Sequence, residues 1–340
     1  MRILFAIQGT GNGHISRARE IVPLLQQHGQ VDLLVSGTQA DVSLDQPIAY
    51  RFHGFSFMFG KKGSVNHWKT YRYMNLLRLK KDITSLPLNN YDLIINDFEP
   101  VTAWACRLRK KQSVSLSHQA AFLSSKTPRP SQNFNWAEWI FKYYAPATHH
   151  IGFHFKAYDQ FIHTPVIRKE IRCMETSNLG HVTVYLPSFD DRLLAPFFKQ
   201  IPEIKWEIFS KHTLKSYRDG NVWVNPVSHR AYNQSLASSH GLLTGGGFEG
   251  PAEALYLGKR VLVIPMKNQY EQQCNAAALR TLGVPVVHNL DSHFVPALRK
   301  WLSDPFLIAV NFPDHTSAII EELIKKHPSQ SSFLSSGLLS

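Results

Sequence analysis

The sequence predicts an α/β protein of two domains, each built on a doubly wound parallel sheet. A chain of 340 residues is longer than one hydrophobic core usually spans. Two series of short apolar segments alternate with helical patterns, and this alternation is typical of parallel sheets. Each series also contains a glycine turn between a strand and a helix.

The first series begins at the N-terminus. Arg2 to Ile7 has the pattern of a buried strand and leads directly into a glycine loop, after which apolar residues recur at helical spacing. Strands are expected near residues 2–7, 31–36, 91–95 and 113–117, and helices near 14–28, 66–82 and 99–109. We interpret residues 1–175 as the first domain.

The second series follows a polar segment from Glu170 to His181, which we interpret as the linker. Helical patterns separate strands expected near residues 182–187, 204–209, 222–224, 240–243, 261–264 and 285–287. Residues 176–327 are therefore predicted to form the second domain. The Ser-rich residues 328–340 are expected to be a disordered tail.

The most informative segment lies in the second series, where Gly245 to Gly247 join a buried strand to a short helix. Glycines let the backbone approach phosphate oxygens, and the N–H groups at the helix start supply donors and the positive end of a dipole. Glu253 falls one turn inside that helix, where a carboxylate can reach a pair of ribose hydroxyls. The segment predicts a nucleoside-diphosphate site, although a glycine triplet alone also suits an ordinary strand-to-helix turn.

This segment resembles the donor-binding region of nucleotide-sugar glycosyltransferases of the two-Rossmann (GT-B) type, and its pattern is most similar to the MurG-like and UDP-glucuronosyltransferase-like enzymes. The resemblance implies a diphosphate loop at Gly245, Gly246 and Gly247, a ribose ligand at Glu253, and sugar contacts from Glu271 and Gln272. We expect Asn275 to contact the sugar or to line its approach as well. It also implies that the last helix, Ser317 to Lys326, crosses back onto the first domain.

The sequence departs from the family pattern at the glycine segment. Plant-type members carry a His where this chain has Gly245, and an Asn-Ser pair where it has Glu249 and Gly250. Backbone groups therefore have to carry more of the phosphate binding. Ser188 lies in a loop that family members use to touch the donor, but it is also placed to cap a helix starting at Asp190.

The N-terminal glycine loop is not the fingerprint of a dinucleotide site. Gly9, Gly11 and Gly13 do not have the spacing of that fingerprint, and the second strand ends in Ser36-Gly37-Thr38 where an acidic ribose ligand would be expected. NAD is therefore not the predicted ligand. In the resembling family this loop faces the cleft, which implies contacts with the acceptor and the donor phosphates from Gly11, Asn12 and Gly13.

His14 directly follows this loop and is the first candidate for a general base. Inverting sugar transfer needs a group that removes a proton from the acceptor hydroxyl, and neutral imidazole is suited to this near pH 7. Asp97 ends a predicted strand at the ligand-binding edge, so we expect it to orient His14. The alternatives are a helix-start hydrogen bond for His14, and for Asp97 a cap on the helix that begins near Glu99.

His118 is the rival candidate for the base. It lies in a polar turn after the strand expected near residues 113–117, at the same edge of the first sheet. A contact with the acceptor and a structural hydrogen bond to the backbone are the other interpretations of this residue.

Positive charge is concentrated in the first half of the chain. Residues 1–165 hold 19 of the 37 Lys and Arg residues but only 10 of the 25 Asp and Glu residues, and aromatic side chains lie among these cations. This mixture suits a peripheral contact with an anionic membrane surface or an acidic glycan, while a solvated surface is the alternative. No compact nucleic-acid motif accompanies the charge, so specific nucleic-acid binding is not expected.

Cysteine usage and hydropathy indicate the compartment. Cys106, Cys173 and Cys274 are odd in number and widely spaced, which favours neither a disulfide framework nor a zinc site. The apolar N-terminal run is too short for a signal peptide, and no segment approaches the length of a membrane span. We expect a cytoplasmic protein, either free or peripheral on the inner face of the membrane. No Asp-x-Asp motif is present, so metal-independent transfer without a cofactor is predicted.

These observations predict an inverting glycosyltransferase that moves a hexose or N-acetylhexosamine from a nucleoside-diphosphate donor, with a UDP-sugar expected, to a hydroxyl of a glycan, lipid or small molecule. A cell-envelope glycan is the expected product. Two alternatives stay open: a nucleotide-sugar 2-epimerase of the same architecture, and a non-catalytic nucleotide-sugar binder.

Overall fold

A computed structural model describes residues 1–10, 12–37, 46–53, 76–131 and 135–327. Its strands form two separate sheets, as the sequence predicts. The first sheet lies within residues 2–163 and the second within residues 182–264. We keep 1–175 and 176–327 as the working domain limits, and the predicted disordered tail at 328–340 falls outside the described residues.

Over the described residues the first sheet has seven parallel strands, in the order β3-β2-β1-β4-β5-β6-β7. These strands are β1 (Arg2–Gln8), β2 (Gln30–Ser36), β3 (Ile48–Phe52), β4 (Leu93–Asp97), β5 (Val114–Ser117), β6 (His149–Phe153) and β7 (Ile162–His163). The sequence did not predict β3, β6 and β7, because the first is a half-buried edge strand without a continuous apolar run, and β6 opens with two histidines.

The helices of the first half are α1 (Asn12–Gln26), α2 (Leu76–Ser85), α3 (Pro100–Leu108), α4 (Asn135–Tyr143) and α5 (Lys169–Arg172). The boundaries of α1 and α3 agree with the predicted helices to within two residues. Most of the helix expected at 66–82 falls outside the described residues.

The second sheet has six strands in the order β10-β11-β9-β8-β12-β13, of which only β10 is antiparallel to its neighbour. They are β8 (Val182–Tyr185), β9 (Trp206–Ser210), β10 (Tyr217–Asp219), β11 (Val222–Pro226), β12 (Gly241–Gly245) and β13 (Arg260–Ile264). The prediction of a strand at 285–287 is wrong, since this segment forms an isolated bridge between Val286 and Val263 instead of a strand. β10 was not predicted because its three residues are polar and partly exposed.

The helices of the second half are α6 (Asp191–Phe198), α7 (His229–Ser238), α8 (Glu249–Tyr256), α9 (Tyr270–Thr281), α10 (Phe294–Ser303) and α11 (Thr316–Lys326). Helix α11 packs against α1 of the first half. Its buried residues Ile319, Ile320 and Leu323 belong to the same apolar cluster as Ile15 and Ala18 of α1. The chain therefore returns to the first sheet after completing the second.

The order of the first sheet determines where its ligand edge lies. The chain leaves β1 in one direction towards β2 and later returns to pair β4 on the other side of β1. Ligands of doubly wound sheets bind beyond the carboxyl ends of strands at this reversal point. Because Ile7 pairs with Asp97 across β1 and β4, the loop after β1 and the end of β4 meet there.

Candidate active site

His14 and Asp97 meet at the reversal point of the first sheet. His14 lies in the first turn of α1, and its Nδ1 is 2.9 Å from Oδ1 of Asp97. The Asp97 side chain is fully buried, while that of His14 is 11% exposed. The structure thus brings together the two residues that the sequence proposed as base and orienting carboxylate.

Asp97 does not cap α3, so that alternative is wrong. The cap is Glu99, whose carboxylate accepts hydrogen bonds from the backbone N–H groups of Val101 and Thr102, both at 2.7 Å. Phe98 adopts a left-handed φ of 55°, which turns the chain sharply between Asp97 and Glu99. Asn96 stabilises this turn, because its Oδ1 accepts from the N–H of Glu99 and its Nδ2 donates to the carbonyl of Glu99. The turn leaves the Asp97 carboxylate available to α1.

Arg17, one turn after His14 on α1, forms a two-point ion pair with Asp97. Its Nη2 is 2.9 Å from Oδ1 of Asp97 and its Nε is 3.2 Å from Oδ2. Burial alone raises the pKa of Asp97, but the charges and hydrogen bonds of Arg17 and His14 outweigh it, and the pKa lies below the ordinary value. Asp97 is therefore ionised across the neutral pH range.

The ionised state of Asp97 determines the tautomer of His14. An ionised carboxylate only accepts hydrogen bonds, so Nδ1 of His14 has to donate to it. Arg17 Nη2 also lies 3.2 Å from Nδ1, but the shorter contact with Asp97 favours the Nδ1–H form. In the neutral imidazole Nε2 then carries the lone pair, and Nε2 has no hydrogen-bond partner among the residues that the structure describes.

A second carboxylate reaches this cluster from the other domain. Glu249, the first residue of α8, accepts a hydrogen bond from Nη1 of Arg17 at 2.7 Å, and its side chain is 28% exposed. The same carboxylate lies against the backbone of Gly13, where any larger side chain would collide with it. Arg17 therefore connects the end of β4 to the start of α8, and it is itself buried.

The glycine segment of the second domain is held by side chains of α9. Oε1 of Gln272 accepts from the N–H of Gly246 at 3.2 Å, and Nδ2 of Asn275 donates to the carbonyl of Gly246 at 3.0 Å. A side chain at Gly246 would clash with the backbone of Gln272. Gly247 is exposed and has open space around it, so its backbone is accessible from solvent. Gln272 and Asn275 thus shape this loop, and their contact with a sugar stays a prediction.

His118 lies in the contact between the domains and not in an open cleft. Its Nδ1 is 2.8 Å from the carbonyl of Phe153, its Nε2 is 2.8 Å from Oδ1 of Asn275, and its ring stacks on Phe248 at 3.8 Å. Burial lowers its pKa. Since both ring nitrogens are engaged and the residue is 1% exposed, the geometry does not support His118 as the base or as an acceptor contact.

Glu253 is buried and forms a two-point ion pair with Arg168. The distances are 2.5 Å from Nε to Oε1 and 2.7 Å from Nη2 to Oε2. Burial disfavours the charged guanidinium, but the hydrogen bonds and charge of Glu253 raise the pKa of Arg168 above its ordinary value. A ribose bound at Glu253 would share this carboxylate with Arg168.

Four further residues were predicted to contact the donor or the acceptor: Glu271, Ser188, Asn12 and Gly11. Glu271 accepts from Nε2 of Gln119 at 3.2 Å, and its side chain is 28% exposed. The predicted cap at Ser188 is wrong, because α6 is capped by Asp190, which accepts from the N–H of Arg192. A phosphate contact from Ser188 stays a prediction. Asn12 begins α1, whereas Gly11 lies outside the described residues.

Sequence reasoning did not identify Arg17, Arg168 or Glu249 as site residues. Arg17 had a signal, since it lies three residues after His14 and so on the same helix face. Glu249 was noted only as a departure from the family pattern, and Arg168 precedes the linker without a motif. Their roles depend on how the two domains meet.

The described residues contain no group of three or more His, Cys, Asp and Glu side chains that could hold a metal ion. Metal independence stays a prediction that requires a measurement. None of the helices in the described part of the chain is long and apolar enough to cross a membrane.

Comparisons with known proteins identify the family. The family model described as glycosyl transferase family 1 matches residues 1–303. A search of curated proteins found no match. The fold is similar to that of MurG from Acinetobacter baumannii, with 16% identity, 96% of this chain and 99% of that chain covered, and a TM-score of 0.59.

Two further solved structures share this fold. The glycosyltransferase SnogD from Streptomyces nogalater is 14% identical to this chain, and the match covers 99% of each chain with a TM-score of 0.55. UGT89C1 from Arabidopsis thaliana, solved in complex with UDP, has 12% identity, with 96% of this chain and 94% of that chain covered and a TM-score of 0.59. At these identities the likeness shows the fold, and it confirms the predicted two-domain GT-B architecture.

Proposed function

The chain belongs to glycosyl transferase family 1 and is a glycosyltransferase, and we propose that it transfers a hexose or N-acetylhexosamine from a UDP-sugar to an acceptor hydroxyl with inversion at the anomeric carbon. The observation that carries this proposal is the His14–Asp97 pair, 2.9 Å apart at the reversal point of the first sheet. Across the domain contact lies the start of α8, which Arg17 links to this pair through Glu249.

The transfer step uses Nε2 of His14 as the base. It takes the proton of the acceptor hydroxyl while the hydroxyl oxygen forms a bond to the anomeric carbon. The bond from that carbon to the diphosphate breaks on the opposite face, and UDP leaves with the electron pair. Asp97 keeps the Nδ1–H tautomer and stabilises the imidazolium that forms, so it acts as a positioning residue.

The donor half of the proposal rests on the glycine segment and α8. The open backbone at Gly247 and the helix start supply N–H donors to the leaving diphosphate, and no side chain caps α8. Glu253 is the proposed ribose ligand, with Glu271, Gln272 and Asn275 towards the sugar. A solved structure of similar fold, UGT89C1, contains UDP, which supports uracil as the base of the donor.

The acceptor class is proposed from the surface of the first domain. Helix α2 packs against α3, and both expose cations beside large apolar side chains. Leu77 is 83% exposed and Leu108 is 65% exposed, and the exposed cations near them are Arg78, Lys80, Lys81, Arg107 and Lys110. This surface suits a peripheral contact with an anionic bilayer on the cytoplasmic side, and therefore a lipid-linked acceptor of a cell-envelope glycan.

The donor proposal is tested first by thermal shift with UDP, GDP, dTDP, CDP and ADP, each with and without magnesium. A ligand at a hundredfold excess over its Kd stabilises the folded protein by about 2.7 kcal/mol. We expect a shift with UDP that does not depend on magnesium. A shift only with magnesium contradicts metal independence, and no shift with any diphosphate contradicts the donor site.

The reaction type is tested with the identified UDP-sugar. Conversion of the donor without an acceptor would indicate an epimerase instead of a transferase. With an acceptor, the configuration at the anomeric carbon of the product, read by NMR, distinguishes inversion from retention.

Membrane contact is tested by flotation with vesicles of phosphatidylcholine, alone or mixed with phosphatidylglycerol. We expect binding only to the anionic vesicles, and its loss in the Lys80→Glu/Lys81→Glu variant, because each near-surface cation contributes roughly 1 kcal/mol. The matched control reverses two exposed lysines of the second half, Lys215→Glu/Lys300→Glu, and is expected to keep binding.

A further inference from the structure

The carboxylate of Glu249 occupies a place where several positive groups converge. Nη1 of Arg17 donates to it at 2.7 Å, and the backbone of Gly13 at the start of α1 lies against it. Glu249 itself is the first residue of α8. A single anion thus sits between two helix starts and a buried guanidinium, each of which favours negative charge.

These groups are also the ones that a donor's diphosphate requires. The proposed phosphate loop, Gly245 to Gly247, leads directly into the first turn of α8, and Phe248 caps this helix without a side-chain hydrogen bond. Arg17 is 3% exposed, and its Nη1 points away from Asp97 towards the second domain. Two anions cannot share this space without strong repulsion, so a diphosphate has to displace Glu249.

We propose that Glu249 is an internal competitor of the donor, and that donor binding transfers the Nη1 hydrogen bond of Arg17 from Glu249 to a phosphate oxygen. This inference rests on the proposed function, since it deepens the description of the same donor site. No covalent bond changes in the exchange. Glu249 is 28% exposed and can rotate into solvent, whereas Arg17 stays anchored to Asp97 through Nε and Nη2.

The exchange also links donor binding to the base. Arg17 holds Asp97, and Asp97 holds Nδ1 of His14. Without a donor, Nη1 of Arg17 bonds to the carboxylate of Glu249. With a donor bound, Nη1 bonds to a phosphate oxygen instead, so the guanidinium links the donor to Asp97 and through it to His14. Arg17 therefore binds a donor phosphate directly and, through Asp97, positions His14.

A purely structural ion pair between the domains predicts different behaviour. In that case removing the charge of Glu249 lowers the stability and leaves the affinity for a diphosphate unchanged or weaker. As an internal competitor, Glu249 lowers the affinity for UDP but has no effect on uridine, which lacks phosphates. The ratio of the two affinities separates the interpretations.

The experiment measures Kd of UDP and of uridine by calorimetry for the full chain and for Glu249→Gln, which keeps the shape and removes the charge. We expect UDP to bind roughly fivefold more tightly to the variant, the scale of one partly exposed charge interaction, with uridine unchanged. The matched control is Glu203→Gln, which breaks an exposed ion pair with Arg299 in the same domain and is expected to leave both affinities unchanged.

The outcomes separate this inference from the proposed function. Unchanged or weaker UDP binding in folded Glu249→Gln, with UDP binding to the wild type, overturns the exchange and leaves the donor site in place. Failure of the wild type and the variant to bind any nucleoside diphosphate overturns both. If Glu249→Gln does not fold, Glu249→Asn removes the same charge, and the same affinity ratio decides.

Discussion

Arg168 and Glu253 form a buried, two-point ion pair that joins the end of the first domain to the helix of the proposed ribose site. Arg168 also donates to Asn233 of α7 at 3.2 Å, so it is anchored to a second helix. The carboxylate proposed to bind ribose is thus oriented before any donor arrives. A ligand group held in this way loses little conformational freedom on binding.

Replacing Glu253 is expected to affect stability as well as donor binding. Glu253→Ala removes the buried partner of Arg168 and leaves it only its ion pair with the exposed Glu170. Breaking a buried pair costs up to about 3–5 kcal/mol. We therefore expect a large loss in the free energy of unfolding, measured in urea. Glu253→Gln keeps one acceptor for Arg168, so its free energy of unfolding is expected to fall by less than that of Glu253→Ala.

The ribose assignment is tested in the folded Glu253→Gln variant. The wild type is expected to prefer UDP over 2′-deoxy-UDP, because the missing hydroxyl removes a hydrogen bond to a charged group, worth roughly 1.5–3 kcal/mol. The variant is expected to bind both weakly and with similar Kd. Equal preference in wild type and variant would show that another residue holds the ribose.

His14→Gln is expected to reduce kcat by about 10²–10⁴ and to leave the Kd of UDP unchanged, since general-base catalysis contributes on this scale. The measurement is UDP release at saturating donor, together with calorimetry. His118→Gln is the comparison, because its imidazole bonds Phe153 and Asn275 and is expected to influence stability more than chemistry. A His14 variant with wild-type kcat would remove this residue from the mechanism.

Asp97→Asn is expected to lower kcat by about 10²–10⁴, because the amide no longer selects the Nδ1–H tautomer of His14. It also leaves Arg17 without its buried carboxylate, so stability falls too. Loss of the tautomer lowers kcat and leaves the Kd of UDP unchanged, whereas loss of folded protein lowers kcat and UDP binding together. A loss of stability with unchanged kcat in the folded fraction would assign Asp97 a purely structural role.

The lowered pKa of Asp97 has a consequence for acid stability. The carboxylate is ionised in the folded state at a pH where the unfolded chain already binds a proton, so its contribution is complete above the unfolded pKa and is lost as the pH falls through the folded one. Urea unfolding at pH values from about 6 down to 3 is expected to show this loss. Asp97→Asn should show a smaller slope over the same range.

The buried histidines of the domain contact are expected to lower the stability of the fold at a higher pH than Asp97 does. Burial lowers the pKa of His118 and of His154, so stability is complete above the ordinary histidine pKa near 6.5 and falls as the pH decreases from there. Unfolding measured between pH 7.5 and 5 should show this decline. His118→Gln is expected to reduce the slope, and an unchanged slope would exclude His118 as a contributor.

Much of the fold and the centre of the site followed from local sequence patterns. The glycine loops after β1 and β12 mark strand-to-helix turns, and the parallel order brings the ends of β1 and β4 together. That is enough to predict that His14 and Asp97 are neighbours, although 83 residues separate them. Short or partly polar strands such as β10 have no comparable pattern.

The rest of the site could not be predicted because it depends on contacts between domains and on single backbone angles. Asp97 is the better cap by composition, yet the chain turns at the left-handed φ of Phe98 and Glu99 becomes the cap. Arg17 meets Glu249 across 232 residues of sequence, and Arg168 meets Glu253 across 85. Periodicity carries no information on such pairs.

The packing of α11 against α1 has a consequence for the order of folding during synthesis. Because α11 follows the whole second sheet in sequence, α1 leaves the ribosome long before the helix that covers part of its apolar surface. Domains fold largely as they emerge. The helix that carries His14 therefore reaches its final packing only after the second half has been made, so a nascent first domain would carry the proposed base on an incompletely supported helix.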